Sequence, residues 1–319
     1  MGCSGIEGFM SDQADGLRQM VRARSGTSAL AERPRPRVST GTRSLVLTSG
    51  KGGVGTSNLA LNLAIVLGER GQRVVLVDAD LGLANIDLLC GLTPPSDLGE
   101  ILEGDRPMSD AIVPGPGGIR ILPGAHGSRT LIETLADAPA RLVDELAGLE
   151  ADADLLIVDA GSGLGSAIGA LAIAADAVAV VTTPEPTSLA DAHAAIHRFR
   201  RLAEAPDLLA IVNQAESSSE GEETLARLAA SSRQFLGAVV EPLGFVRADP
   251  RVPLAVRARR PFSTVYPGAV ASRDVRRLAR VLLERERQRG RDLGPPPRSR
   301  RPGFFAALAA RWALRGVSR

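Results

Sequence analysis

Ser49-Gly50-Lys51-Gly52-Gly53-Val54-Gly55-Thr56-Ser57-Asn58 lies between a short apolar run, Leu45–Thr48, and a helix-like period, Leu59–Arg70. Its glycines let the backbone wrap closely, so that N–H groups can point at phosphate oxygens. The N-terminus of the helix that follows adds its dipole. A glycine-rich turn with no ligand is the plain alternative, but strand, loop and helix in this order favour an anion cradle. Ser57 stands where a hydroxyl would ligand Mg²⁺. The pattern G-x-x-x-x-G-K-[ST] wants lysine after its last glycine, and here that position is Thr56. The usual contact of that lysine with the β- and γ-phosphates is therefore absent. Lys51, near the start of the loop, is the only lysine in the chain; all other basic residues apart from three histidines are arginine.

Outward from the loop, further apolar runs read as strands: Val74–Val77, Ile119–Leu122, Leu155–Val158, Ala177–Thr182, Leu208–Val212 and Leu243–Val246. Helix-like periods separate them at Leu131–Leu146, Ser188–Leu202, Glu222–Phe235 and Ser272–Arg289. Near-continuous apolar strands alternating with amphipathic helices predict an α/β fold with a doubly wound, mostly parallel sheet covered on both faces. The expected division is a domain over residues 43–290, an N-terminal helix and linker over 1–42, and a linker with an amphipathic basic segment over 291–319. The linker core is Arg33-Pro34-Arg35-Pro36-Arg37, stiff and extended.

The length of 319 residues and 44% hydrophobic content suit one sizeable domain with arms. A net charge of +2 gives no general field for nucleic acid, and no specific nucleic-acid partner is expected. The basic excess is local: six arginines and no acid from Arg298 onward. Two cysteines far apart, Cys3 and Cys90, argue against a disulfide framework and fit a reducing cytosol. No apolar run reaches the roughly 18 residues that suggest a membrane span.

Two acidic stretches complete the site. Val77-Asp78-Ala79-Asp80 ends one strand, and Leu155-Leu156-Ile157-Val158-Asp159 ends another. An acid at the C-terminal end of a strand beside a phosphate loop sits where Mg²⁺ must be held. With Lys51 early in the loop, these motifs resemble the deviant-Walker P-loop NTPases of the MinD/ParA family, of SIMIBI type. The resemblance implies an ATP-binding, slowly hydrolysing switch with Mg²⁺ as cofactor. It implies nucleotide contacts from Gly50, Lys51, Gly52, Gly53, Val54, Gly55, Thr56, Ser57 and Asn58, and from Gly163 near the γ-phosphate. Lys51 would reach the partner's nucleotide across an ATP-dependent homodimer. Asp80 would orient the attacking water, Ser57, Asp78 and Asp159 would form the metal site, and Asn213 would recognise adenine. The base side departs from the family, with Arg247 where relatives carry proline two residues before Asp249.

Several stretches are most similar to the flagellar-number regulators of that family, the FlhG/FleN (YlxH) branch: Asp78–Leu92, Gly118–Gly124, Val181–Ser188 and Asp249–Phe262. Asp12-Gln13-Ala14-Asp15-Gly16-Leu17-Arg18 matches that branch's D-Q-A-x-x-L-R segment, which implies a flagellar GTPase partner of the FlhF type. Read by itself it is a solvated amphipathic helix. Phe304, Phe305, Leu308 and Trp312 project to one side of a C-terminal helix flanked by arginines. That composition suits an anionic membrane surface and predicts a cytoplasmic protein peripheral at the inner membrane. Docking of that side on the domain's own core is the alternative. Thr56 keeps a non-hydrolysing nucleotide-binding regulator open, and a ParA-like DNA-partition ATPase is a second rival.

Overall fold

The computed structural model describes residues 42–80, 85–96, 108–124, 140–292 and 302–315. The expected N-terminal helix, with Asp12, Gln13, Ala14, Leu17 and Arg18, lies outside the described residues.

The chain runs β1 (Arg43–Ser49), α1 (Thr56–Glu69), β2 (Val74–Asp78), α2 (Ile86–Cys90), β3 (Val113–Pro114), β4 (Arg120–Leu122) and α3 (Ala140–Ala151). It continues through β5 (Leu155–Ser162), α4 (Ser166–Ala174), β6 (Ala177–Thr182), α5 (Pro186–Arg200), β7 (Asp207–Ala215) and α6 (Ser218–Leu236). Then come β8 (Val240–Arg247), α7 (Arg251–Arg257), α8 (Phe262–Val265), α9 (Val270–Asp292) and α10 (Phe304–Arg315). One sheet holds the strands in the order β3-β4-β2-β5-β1-β6-β7-β8. All pairings are parallel except β3 with β4. Each of the predicted strands is present, and β3 adds a short antiparallel edge too brief to leave a pattern.

Side chains of the central strands alternate between two cores, because successive residues of a strand face opposite ways. Val46, Leu156, Val158 and Val180 pack with Phe199 and Leu171 on one side. Leu45, Leu47, Ile157 and Val181 pack with Leu61, Ile65 and Leu278 on the other. The helix α4 was not predicted. Its sequence, SAIGALAIA, is apolar on nearly every side, so it shows no stripe from which a helical period could be read.

The C-terminal segment differs from expectation. Phe304, Phe305 and Leu308 are at most 2% exposed, inside the core formed with α3 and α4. The two rings stack edge to face with centroids 5.4 Å apart. Glu150 holds the start of α10, its Oε1 accepting from Phe304 N at 2.8 Å and its Oε2 from Phe305 N at 3.3 Å. The membrane-facing role expected of Phe304, Phe305 and Leu308 is therefore corrected. Their apolar area is already removed from water, worth about 1.5–3 kcal/mol for each side chain, and nothing remains for a bilayer to gain. Trp312 lies in the last turns of α10, and its side chain is outside the described residues. The packed body takes in α10, past the boundary expected at residue 290. Among the described residues no helix is long and apolar enough to cross a membrane.

Candidate nucleotide-binding site

The parallel sheet brings the C-terminal ends of β1, β2, β5, β6 and β7 to one edge, where ligands of open α/β sheets bind. The phosphate loop leaves β1, whose neighbours are β5 and β6. Gly53 and Gly55 have φ of +83° and +88°, which a side chain would strain. Gly50 packs so tightly that an added Cβ would lie 2.3 Å from Asp191 O of α5. The loop is tied down from three sides. Asn213 Nδ2 donates to Val54 O at 2.7 Å, and Gln214 Nε2 donates to Gly53 O at 3.4 Å. Gly163 N donates to Ser49 O at 2.8 Å, which joins the loop to the end of β5.

Thr56 is buried and turns its hydroxyl toward Ser49, with Oγ1 donating to Ser49 Oγ at 3.1 Å. Ser57, in the first turn of α1, lies close enough to Asp159 to favour that carboxylate's charged form. Asp159 is 1% exposed, its Oδ1 accepts from Gly161 N at 3.2 Å, and its Oδ2 has no partner. Burial first, and then the negative charge of Asp78, pushes the carboxyl up to about 7. Asn58 is occupied within α1, its carbonyl accepting from Asn62 Nδ2 at 2.8 Å.

Asp78 and Asp159 face each other in register on β2 and β5. Asp78 is nonetheless spent on the backbone: Oδ2 accepts from Asn85 N at 2.8 Å and Ile86 N at 3.0 Å, and Oδ1 from Asp80 N at 3.2 Å. Burial still pushes it up to about 6. Asp78 thereby holds the segment that carries Asp80, in register with Asp159. The Asp80 carboxyl lies over Gly161, where an added Cβ would meet it at 2.5–2.7 Å. Among the described residues no three acids, histidines or cysteines converge as a protein-only metal cage.

Sequence reasoning missed the residues that hold the loop's cation. Lys51 Nζ pairs with Glu185 Oε2 at 3.1 Å and donates to Thr187 Oγ1 at 3.4 Å, at the N-terminus of α5. The local pattern, an acid followed by proline, marks a helix start and not the loop that the acid meets. Asn213, expected at the adenine, donates one amide N–H to the loop. Arg247 is locked to the fully buried Asp274, with Nε to Oδ2 at 2.8 Å and Nη2 to Oδ1 at 2.9 Å. Asp249 is likewise taken, accepting from Val270 N at 2.8 Å at the start of α9.

A family model described as ParA, NUBPL iron-transfer P-loop NTPase, matches residues 41–108. The antiactivator FleN of Pseudomonas aeruginosa is 36% identical over 72% of this chain and 81% of its own. The chain belongs to the MinD/ParA family of P-loop ATPases, in its FlhG/FleN branch. The flagellum site-determining protein YlxH of Helicobacter pylori is 31% identical over 76% of this chain and 83% of its own. Among MinD/ParA structures, the septum site-determining protein MinD of Pyrococcus horikoshii, solved with Mg-ADP, superposes with a TM-score of 0.61 at 25% identity, covering 76% of this chain and 96% of that one.

Proposed function

We propose that the chain is an ATP-binding, slowly hydrolysing switch that regulates flagellar number or placement. The observation that carries this reading is the buried, unpartnered Oδ2 of Asp159 beside Ser57 at the foot of the phosphate loop. The flagellar side rests on the likeness to FleN and YlxH.

A carboxylate oxygen buried without a donor fits a cation. A carboxylate with a neighbouring hydroxyl suits Mg²⁺, which prefers oxygen ligands and shares them with waters and substrate phosphates. Bound there, Mg²⁺ would neutralise charge on the β- and γ-phosphates. The N–H groups of the loop from Gly52 to Thr56 hold the phosphates, and Asp80, braced against Gly161, orients the attacking water. Lys51 leaves Glu185 to reach the nucleotide of a second copy, so the active form is an ATP-dependent homodimer. The segment around Asp12, Leu17 and Arg18 engages a GTPase partner of the FlhF type, and the switch works in the cytoplasm. Thr56, facing Ser49 rather than phosphate, makes hydrolysis slow. The same observation favours a second reading, a regulator that binds nucleotide without turning it over.

Two measurements test the reading. Asp80→Ala keeps nucleotide binding and removes hydrolysis in a single-turnover assay; unchanged hydrolysis excludes the water-orienting role, and no hydrolysis by either protein selects the second reading. Cells deleted for the gene show altered flagellar counts by electron microscopy, and a wild-type count sinks the flagellar assignment.

A further inference from the structure

The position that carries a cation in the phosphate-loop pattern carries here a hydroxyl that is bonded to the loop's own Ser49. Thr56 Oγ1 donates to Ser49 Oγ, and Ser49 Oγ donates onward to Lys51 O at 2.9 Å. Asn213 and Gln214 take the carbonyls of Val54 and Gly53. Side chains thus hold three loop carbonyls: those of Lys51, Gly53 and Val54. In a planar trans peptide the carbonyl of one residue and the N–H of the next point in opposite directions. Fixing these carbonyls therefore turns the N–H groups of Gly52, Val54 and Gly55 the other way. Gln214 reaches its place with φ of +59°, a conformation uncommon for any residue with a side chain. A separate observation points to a charged ligand: the buried Oδ2 of Asp159, without a partner, sits beside Ser57 in the turn that follows the loop.

The geometry points to a phosphate cradle organised by neutral side chains, in which Thr56 (through Ser49), Asn213 and Gln214 are positioning residues that aim the loop N–H groups without a lysine at position 56. Such a cradle takes a nucleoside diphosphate about as well as a triphosphate, because no side-chain cation of one copy's own loop meets the extra negative charge while Lys51 is paired with Glu185. The inference rests on the reading of the loop as a nucleotide site. It adds that preference for the triphosphate arises only when a second copy brings its Lys51.

The test is equilibrium binding of fluorescent ADP and ATP analogues, with Mg²⁺, to the dilute full-length chain. The two nucleotides bind the wild type within about threefold of each other. Thr56→Val, which keeps the shape and removes the hydroxyl, weakens both by about tenfold, the usual scale for one hydrogen bond. Thr56→Ser restores binding. Gln214→Gly weakens both nucleotides while the Tm of the nucleotide-free protein holds or rises, since glycine accepts positive φ without strain. Thr56→Val binding like the wild type overturns the proposal, as does a drop in Tm alongside affinity in Gln214→Gly. A dilute wild type that prefers ATP more than tenfold also overturns it. A wild type that binds neither nucleotide removes the site itself, whereas binding that the variants leave intact removes only the organising role given to these side chains.

Discussion

Asp159 is 1% exposed and its Oδ2 carries no hydrogen bond, with the Ser57 side chain close by. Desolvation penalises its charged form, and the neighbouring Asp78 adds a like charge. The sign of the consequence is set by linkage. The folded-state value of about 7 lies above the ordinary aspartate value of 3.8, so between the two the folded chain binds the extra proton. The stability this group contributes is full below the unfolded value and is lost as pH rises through about 7. Without nucleotide or Mg²⁺, the Tm is expected to fall between pH 5 and pH 8, and Asp159→Asn to flatten that fall by about 5 °C. Added Mg²⁺ should raise the Tm of the wild type at pH 8 and leave the variant unmoved. A variant whose Tm follows the wild type across pH would exclude Asp159 as the titrating group. Ser57 and Asp159 were legible in sequence because each stands at a landmark, a hydroxyl after the last loop glycine and an acid ending an apolar strand. Glu185 and Gln214 were not, because they meet the loop from 134 and 161 positions away, and the sheet order that brings them there has no signature in any local pattern.

At the scale of elements, the strands and long helices could be read from the sequence, while the partners of their faces could not. Periodicity shows that Phe304, Phe305 and Leu308 share a side; it does not show what covers that side. The structure covers it with α3 and α4, and Glu150 accepts the first N–H groups of α10. Those donors would otherwise be orphaned at a buried helix start. Truncating a buried phenylalanine costs about 3–5 kcal/mol through lost transfer energy and the cavity left behind. Phe305→Ala is therefore expected to lower the Tm by roughly 6–20 °C, at 2–4 °C per kcal/mol for a domain of this size. Binding to anionic liposomes, by pelleting, should not fall with it. A variant with an unchanged Tm that no longer pellets would return this face to the membrane.

For the whole molecule, the order β3-β4-β2-β5-β1-β6-β7-β8 gathers the phosphate loop, Asp80, Asp159 and the start of α5 at one edge of the sheet. There Lys51 is held by a contact that is easily given up. Its side chain is 43% exposed and Glu185 is 65% exposed, and ion pairs so open to water and salt contribute about 0–1 kcal/mol. A phosphate brought by a facing copy offers a denser charge and excludes water as the copies close, so exchanging Glu185 for phosphate favours association. Because Thr56 supplies no cation, Lys51 is the only lysine the chain can offer at this edge. Sedimentation velocity with Mg-ATP should show a dimer whose fraction rises with protein concentration, and ATP affinity by calorimetry should rise with it. Lys51→Ala should remain monomeric with ATP at every concentration. It should still bind nucleotide as a monomer, because the loop N–H groups and the Ser57–Asp159 pair are untouched. Glu185→Gln, which loosens the resting contact without removing the cation, should shift dimerisation to lower ATP. A dimer fraction unchanged by Lys51→Ala would remove this residue from the interface and leave the charge of the bound phosphates to the metal ion alone.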